Sequence, residues 1–361
     1  MPSSDDPNSR PDSGPLSLTF ILPTRNRREW VFRALESCLQ AHQPGVAVEV
    51  LVVDGQSTDG SFEEIQRRYA GDARVRALRQ EGAKGFMAAC FFGVARVRTP
   101  YVTFMYDDDV LSPFWVDVPR AMQRHGAGFG MGFSAESDVA KTCDFRRVAQ
   151  ALVVPPSLLL QAFCGRGHEL SAFGLPFNPI CCLTRTEQLR GWMEALQEFT
   201  RGHPLREHFM MQRNAGPDLM IYFHSILGET GDIPVLDGPV AQFSAHAGSI
   251  TSGFEPSDLT IGYWLAQVWL CDRLRAGRQD ADAGWCGAYT VKQGLRLALR
   301  RLRRRQSPWL GALLLETFAL AGRSLMSRCA GAFMKSLGTQ LLPRRWRPRF
   351  GLSTRTEPLL A

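Results

Sequence analysis

Three consecutive carboxylates, Asp107, Asp108 and Asp109, close the apolar run from Tyr101 to Tyr106. Adjacent like charges repel, so the triplet needs something to absorb its charge. A solvated acidic turn ahead of a helix is one answer. The other is a divalent cation: Mg²⁺ or Mn²⁺ takes one or two protein carboxylates and completes its shell with the phosphate oxygens of a substrate. A further carboxylate, Asp54, follows the largely apolar run Val48–Val53 and opens the turn Asp54-Gly55-Gln56-Ser57-Thr58-Asp59-Gly60. Acid groups at the ends of two strand-like runs favour a metal–nucleotide site over an isolated capping turn.

Those groups need elements that bring them together. Leu16–Leu22 reads as a strand that stops at Pro23-Thr24-Arg25-Asn26; a helical pattern with Val31, Leu35, Cys38 and Leu39 follows, then the strand ending at Asp54. Strand, loop, helix, strand is a βαβ unit. In an open, mostly parallel sheet the ligand crevice lies beyond the carboxyl ends of the strands, which puts Thr24, Asp54 and the acidic triplet on one rim. A chain of 361 residues, 45% hydrophobic, suffices for one large α/β domain with an extension.

In order and spacing these segments resemble glycosyltransferase family 2, inverting nucleotide-sugar-dependent enzymes of the GT-A fold. Pro23-Thr24-Arg25-Asn26 matches the family's Pro-Thr-x-Asn, Ala34-Leu35-Glu36-Ser37 its Ala-Leu-x-Ser, Val52–Gly60 its Val-Val-Asp-x-x-Ser-Thr-Asp-Gly, and Tyr101–Pro113 its metal motif. The resemblance covers roughly the first third of the chain. It implies an α/β GT-A fold, a Rossmann-like, mostly parallel central sheet flanked by helices, here with a basic helical C-terminal extension. It also implies Pro23, Thr24 and Asn26 beneath base and ribose, Asp54 bonded to the base, Asp107 near the ribose, Asp108 on Mg²⁺ or Mn²⁺, and Asp109 at the neighbouring acidic position of the metal shell. Two positions depart from the pattern. Gly55 stands where many relatives carry a second aspartate, and Cys90-Phe91 replace a frequent Arg-Asn pair in the Gly-rich helix after Gly85. Lys84 is a candidate for the missing positive charge at the donor, although simple solvation explains it equally.

Farther along, Asp218 matches the family's catalytic base, with Pro217 in place of the preceding acid; after Gly216-Pro217 it also suits a helix N-terminal cap. Phe243–Thr251 resembles the family's His-x-x-Ser segment, which makes His246 a candidate ligand for diphosphate or metal beside Ser249 and Thr251. Cys181 and Cys182, adjacent on a strand-like run, should enter opposite sides of a sheet as core residues. No further Cys/His pair stands at zinc-finger spacing. The expected organisation is a disordered start (1–15), a catalytic domain (16–255, donor half about 16–115, acceptor half about 116–255) and a helical basic region (256–361).

From Val291 onward fifteen Lys/Arg face only Glu316 and Glu357, a local balance of +13 in a chain of +7. Arginines interleaved with apolar helical stretches suit an anionic membrane surface; packing on the domain or on a second subunit is the alternative, and nucleic acid fits less well. No run reaches the roughly 18–20 apolar residues that span a bilayer. Nine cysteines and a polar start without a signal-like apolar stretch suit a reducing cytoplasm, with peripheral placement on the membrane's inner face. The resulting expectation is transfer of a sugar from a nucleoside diphosphate sugar to a glycan or glycolipid hydroxyl, in polysaccharide or lipid-linked glycan synthesis. Rival readings are a binding protein without turnover and a nucleotidyltransferase. The latter should carry a glycine-rich basic loop after the first strand, which Pro23-Thr24-Arg25-Asn26 is not. The oligomeric state is left open.

Overall fold

Strand β1 (Leu16–Thr24) lies parallel to β2 (Val46–Asp54) in a register that sets Leu16 opposite Val46 and Thr24 opposite Asp54. Both strands are buried on both faces, which is why they read as nearly continuous apolar runs. Strand β3 (Val75–Arg79) extends β2 in parallel, with Arg79 opposite Asp54, and β4 (Tyr101–Phe104) flanks β1 on its other side. Thr24, Asp54 and Arg79 therefore end in one row, and the acidic triplet begins three residues past the end of β4. The structure is a computed structural model that describes residues 15–166, 170, 174–246, 249, 256–306, 308–341 and 355–358. Expectations for residues 1–14, Thr251 and the arginines at 344, 345 and 347 fall outside the described residues.

Helices α1 (Arg28–Gln40), α2 (Ser61–Arg68) and α3 (Phe86–Val94) connect these strands. Helix α3 lies so close to the sheet that a β-carbon on Gly93 would stand 2.5 Å from Ile21 Cγ2, so this position takes only glycine. Alternate residues of β1 and β2 enter two apolar clusters, Ile21, Leu51 and Val53 in one and Phe20, Leu22 and Val52 in the other.

Beyond β4 the pairing becomes mixed. The sheet order is β10 (Arg355–Pro358), β7 (Gln150–Val154), β9 (Ile233–Ala245), β6 (Phe129–Asp138), β8 (Cys182–Arg185), β4, β1, β2, β3, with the short β5 (Val110–Leu111) pairing β9 off this path. Strand β8 runs antiparallel to both β4 and β6, and β9 runs parallel to β6 through a bulged register. Cys181 and Cys182 are both buried and enter opposite clusters as expected, but only Cys182 is on a strand: Cys181 closes the 3-10 turn Pro179–Cys181 that leads into β8.

On these strands pack α4 (Asp117–His125), α5 (Pro156–Gln161), α6 (Thr186–Thr200) and α7 (Pro217–Leu227). The C-terminal helices are α8 (Pro256–Ala276), α9 (Asp280–Arg303), α10 (Leu310–Leu325) and α11 (Ala330–Leu341). Their inner faces belong to the same apolar cluster as Ile21 and Phe104. Helix α8 is apolar nearly all round because it is wrapped by protein, with Ile261, Trp264 and Leu265 all buried. The region expected to be helical throughout ends differently: β10 (Arg355–Pro358) returns to pair antiparallel with β7 (Gln150–Val154) at the sheet edge.

Candidate active site

The carboxyl ends of β1, β2 and β4 border a cleft of about 610 Å³. Pro23, Thr24, Gly55, Asp107 and Asp108 line one wall; Asp218 and Tyr263 line the other. A volume of that order suits a small-molecule ligand.

The donor-side wall is held from several elements. Thr24 donates its hydroxyl to Asp107 Oδ2 at 2.8 Å, tying the end of β1 to the acidic loop. Asp54 is fully buried and accepts from the Ser57 N–H at 3.0 Å and Arg79 Nε at 3.3 Å through one oxygen. Its other oxygen, Oδ1, has no partner among the described residues, which leaves a buried acceptor at the strand end. Asn26 adopts a left-handed backbone at φ 54° and accepts the Thr58 N–H at 2.8 Å, while its own N–H donates to Ser57 at 2.9 Å. Its side chain thus braces two loops and does not line the cleft. At Gly55 a β-carbon would stand 3.3 Å from Arg25 Cβ and 3.4 Å from the Thr24 carbonyl oxygen, a tight fit that a small shift would relieve.

The three carboxylates of the triplet have three different environments. Burial and the neighbouring Asp108 charge push Asp107 up to about 7, against the pull of the Thr24 hydrogen bond and of Arg27. Asp108 sits at the cleft, with Oδ2 2.8 Å from His246 Nε2, and the His246 ring packs on Trp30 at 4.2 Å. The Asp108 carbonyl accepts from Arg33 Nη2 at 2.9 Å, which fixes the loop backbone. Asp109, expected in the metal shell, turns inward instead. It is buried, accepts from Asn178 Nδ2 at 2.7 Å and from the Ser244 N–H at 2.8 Å, and is pushed well up by burial and by Asp108. With both oxygens engaged inside the protein, Asp109 fastens the acidic loop to β9 rather than facing a cation.

Asp218 occupies the first turn of α7. It is half-buried at the cleft wall, accepts the Leu219 N–H at 2.9 Å, and is pushed up to about 7 by burial that its own helix N–H groups only partly offset. The Tyr106 and Tyr263 phenols, both raised by burial with a contribution from Asp218, complete a low-polarity surround. A carboxyl titrating near neutrality is suited to proton abstraction.

Pro23, Thr24, Asp107, Asp108 and Asp218 meet around one cleft, with Asp54 beneath its rim and His246 against Asp108. Lys84, expected at the donor, lies on an exposed loop and is absent from the lining; Arg25 and Arg27 of the first loop occupy it instead. Cys90 is core and Phe91 packs edge-on against Trp192 at 5.9 Å, so neither replaces the Arg-Asn pair chemically. Asn178 and Arg33 were not singled out by sequence. Both act across more than sixty residues, and only the sheet order brings them to the triplet.

Residues 19–136, from β1 to the bulged strand β6, match the sequence model described as Glycosyl transferase family 2. This segment is a family 2 glycosyltransferase domain. Glycosyltransferase GlyG of Streptococcus pneumoniae is 29% identical over 94 residues, 26% of this chain and 31% of GlyG. Chondroitin synthase of Escherichia coli is 31% identical over 101 residues, 28% of this chain and 14% of the synthase. The succinoglycan biosynthesis protein ExoO of Rhizobium meliloti is 31% identical over 96 residues, 27% of this chain and 26% of ExoO. The chain therefore spans less than a third of the length of these relatives. The family 2 domain and the rest of the chain share the GT-A fold of Staphylococcus aureus TarS residues 1–349, solved in complex with UDP. That likeness has a TM-score of 0.50 and 13% identity over 90% of this chain and 91% of that one.

Proposed function

We propose that the protein is an inverting glycosyltransferase that moves a sugar from a nucleoside diphosphate to a hydroxyl of a glycan or glycolipid acceptor. The observation that carries this reading is the placement of Asp218, with its raised pKa, in the same cleft as the Asp107-Asp108 pair. Asp218 takes the proton of the acceptor hydroxyl as it attacks the anomeric carbon from the face opposite the diphosphate, which inverts that centre without a covalent enzyme intermediate. Thr24 and Asp107 flank the ribose and Arg25 and Arg27 offset phosphate charge, while buried Asp54, whose Oδ1 has no partner among the described residues, would meet an N–H of the base only if the rim above it shifts.

The donor set fits Mg²⁺ or Mn²⁺ of the kind completed by substrate. Asp108 lines the cleft and His246 Nε2 stands 2.8 Å from its Oδ2, so these two donors would leave the remaining positions to phosphate oxygens and water. A cation held there would neutralise the departing diphosphate. The names of ExoO and chondroitin synthase support an acceptor in polysaccharide synthesis, and the UDP in the TarS structure puts uridine donors first for testing.

Thermal-shift titration with UDP-, GDP-, CMP- and dTDP-sugars, with and without Mn²⁺, tests the donor assignment; one nucleotide class should raise the transition, and more so with metal. A flat response across the panel from folded protein would remove the donor reading.

A further inference from the structure

Among the described residues, nine of the ten large hydrophobic side chains that are exposed lie between Leu295 and Leu341, far along the chain from the cleft loops. Their spacing is helical. Leu295, Leu299 and Leu302 form an i, i+4, i+7 stripe on α9, and Leu315 and Phe318 are neighbours on α10. Helix α10 runs antiparallel to α9, because Gly294 abuts Thr317 while Gly287 abuts Ser324. Leu315 and Phe318 are thus level with Leu295, and the two stripes occupy the same end of the helical layer. Met334 and Leu341 add an exposed i, i+7 pair on α11, the helix on which α9 also packs.

Charge accompanies the apolar stripe in one sign only. Arg296, Arg300 and Arg303 are exposed one position on from the three leucines of α9, followed by exposed Arg304 and Arg305. Between Val291 and Leu341 the sequence has one acidic residue, Glu316, and it points inward to Arg206 at 2.8 Å and His203 at 3.2 Å. Soluble surfaces intersperse both signs; this one couples bare hydrocarbon with uncompensated arginine.

We propose that the outer faces of α9, α10 and α11 dock the protein on an anionic lipid bilayer, arginines on the headgroups and Leu, Phe and Met side chains in the interface. A second copy is a poorer occupant. A two-fold contact through this face would lay the arginine stripe near itself with no exposed acid on the face to neutralise it. Nucleic acid would meet the arginines but leave the apolar stripe against phosphate and water. None of the described helices is long and apolar enough to cross a membrane, so attachment is at the surface. This inference is independent of sugar transfer and is tested without it.

Full-length protein is sedimented with vesicles of phosphatidylcholine alone and with vesicles in which about a third of the lipid is phosphatidylglycerol, at low and high salt. Binding is expected only to the anionic vesicles and should fall with salt. The triple variant R296E/R300E/R303E should lose at least about fivefold in vesicle affinity per arginine. L315S/F318S should weaken anionic binding while the thermal transition and donor response of both variants stay at wild-type values. Equal binding to both vesicle types, or none, overturns the proposal. A concentration-dependent dimer in solution that L315S/F318S abolishes would assign the face to a subunit contact and overturn it as well. Preference for duplex nucleic acid over anionic vesicles would do the same.

Discussion

The carboxylates that follow the strand ends and the one that opens α7 are held in different ways. On the donor side Asp54, Asp107 and Asp109 accept hydrogen bonds from Arg79, Thr24, Asn178 and Ser244, which reach them from other loops and strands. On the acceptor side Asp218 has the Leu219 N–H of its own helix and a surround of raised phenols. The first arrangement fixes geometry before a ligand arrives, as recognition and charge stabilisation require. Burial pushes both Asp107 and Asp218 up to about 7, so the two sides differ in anchoring rather than in proton affinity: Asp107 is tied to Thr24 at the end of another strand, Asp218 to its own helix.

The contrast predicts different losses from similar substitutions. Asp218→Asn should lower transfer by about 10²–10⁴-fold while donor affinity stays within about twofold, as read by turnover and calorimetric titration. Equal losses in both would place Asp218 on the donor side. Asp109→Ala should act on the fold: it strands the Asn178 amide and the Ser244 N–H, and urea unfolding should register a loss of roughly 2–4 kcal/mol. An unchanged midpoint would show that the inward-facing carboxylate is dispensable.

A subtler effect separates stability from chemistry at Asp218. Its folded pKa, about 7, lies above the roughly 3.9 of an unfolded chain, so the folded state holds the proton longer. Its stabilising contribution is full below about pH 4 and is lost as pH rises through 7. Asp218→Asn should therefore melt higher than wild type at pH 8 and nearly with it at pH 4, while wild-type transfer climbs as pH passes about 7. A difference in melting that grew toward acid would reverse the sign and refute the assignment. Smallest of all, Thr24→Val removes one hydrogen bond to Asp107 and should weaken donor binding by about fivefold. A wild-type isotherm would mean that Asp107 is oriented by other groups.

The donor wall was readable in sequence because its parts are local. Thr24, Asp54 and Asp107 each follow an apolar run directly, and a parallel sheet converts three such endings into one rim. Asp109 was misread because its neighbours Asp107 and Asp108 look identical in type. What turns it inward is Asn178 and Ser244, which arrive through β8 and β9, and no spacing rule links those segments to β4. Lys84 failed for a similar reason, since proximity in sequence to a cleft helix says nothing about which way an exposed loop faces. The burial of Cys181 and Cys182 in opposite clusters was legible, although Cys181 reaches its cluster from the turn before β8 and not from the strand.

The pairing of β10 with β7 has a consequence for how the molecule is made. Residues 150–154 emerge from the ribosome about two hundred residues before their partner at 355–358. Throughout that interval β7 offers an unpaired backbone edge with four of its five residues destined for burial, the kind of surface that recruits other strands. Translation speed and chaperone occupancy over that window, rather than the final free energy, would then set the yield of native protein.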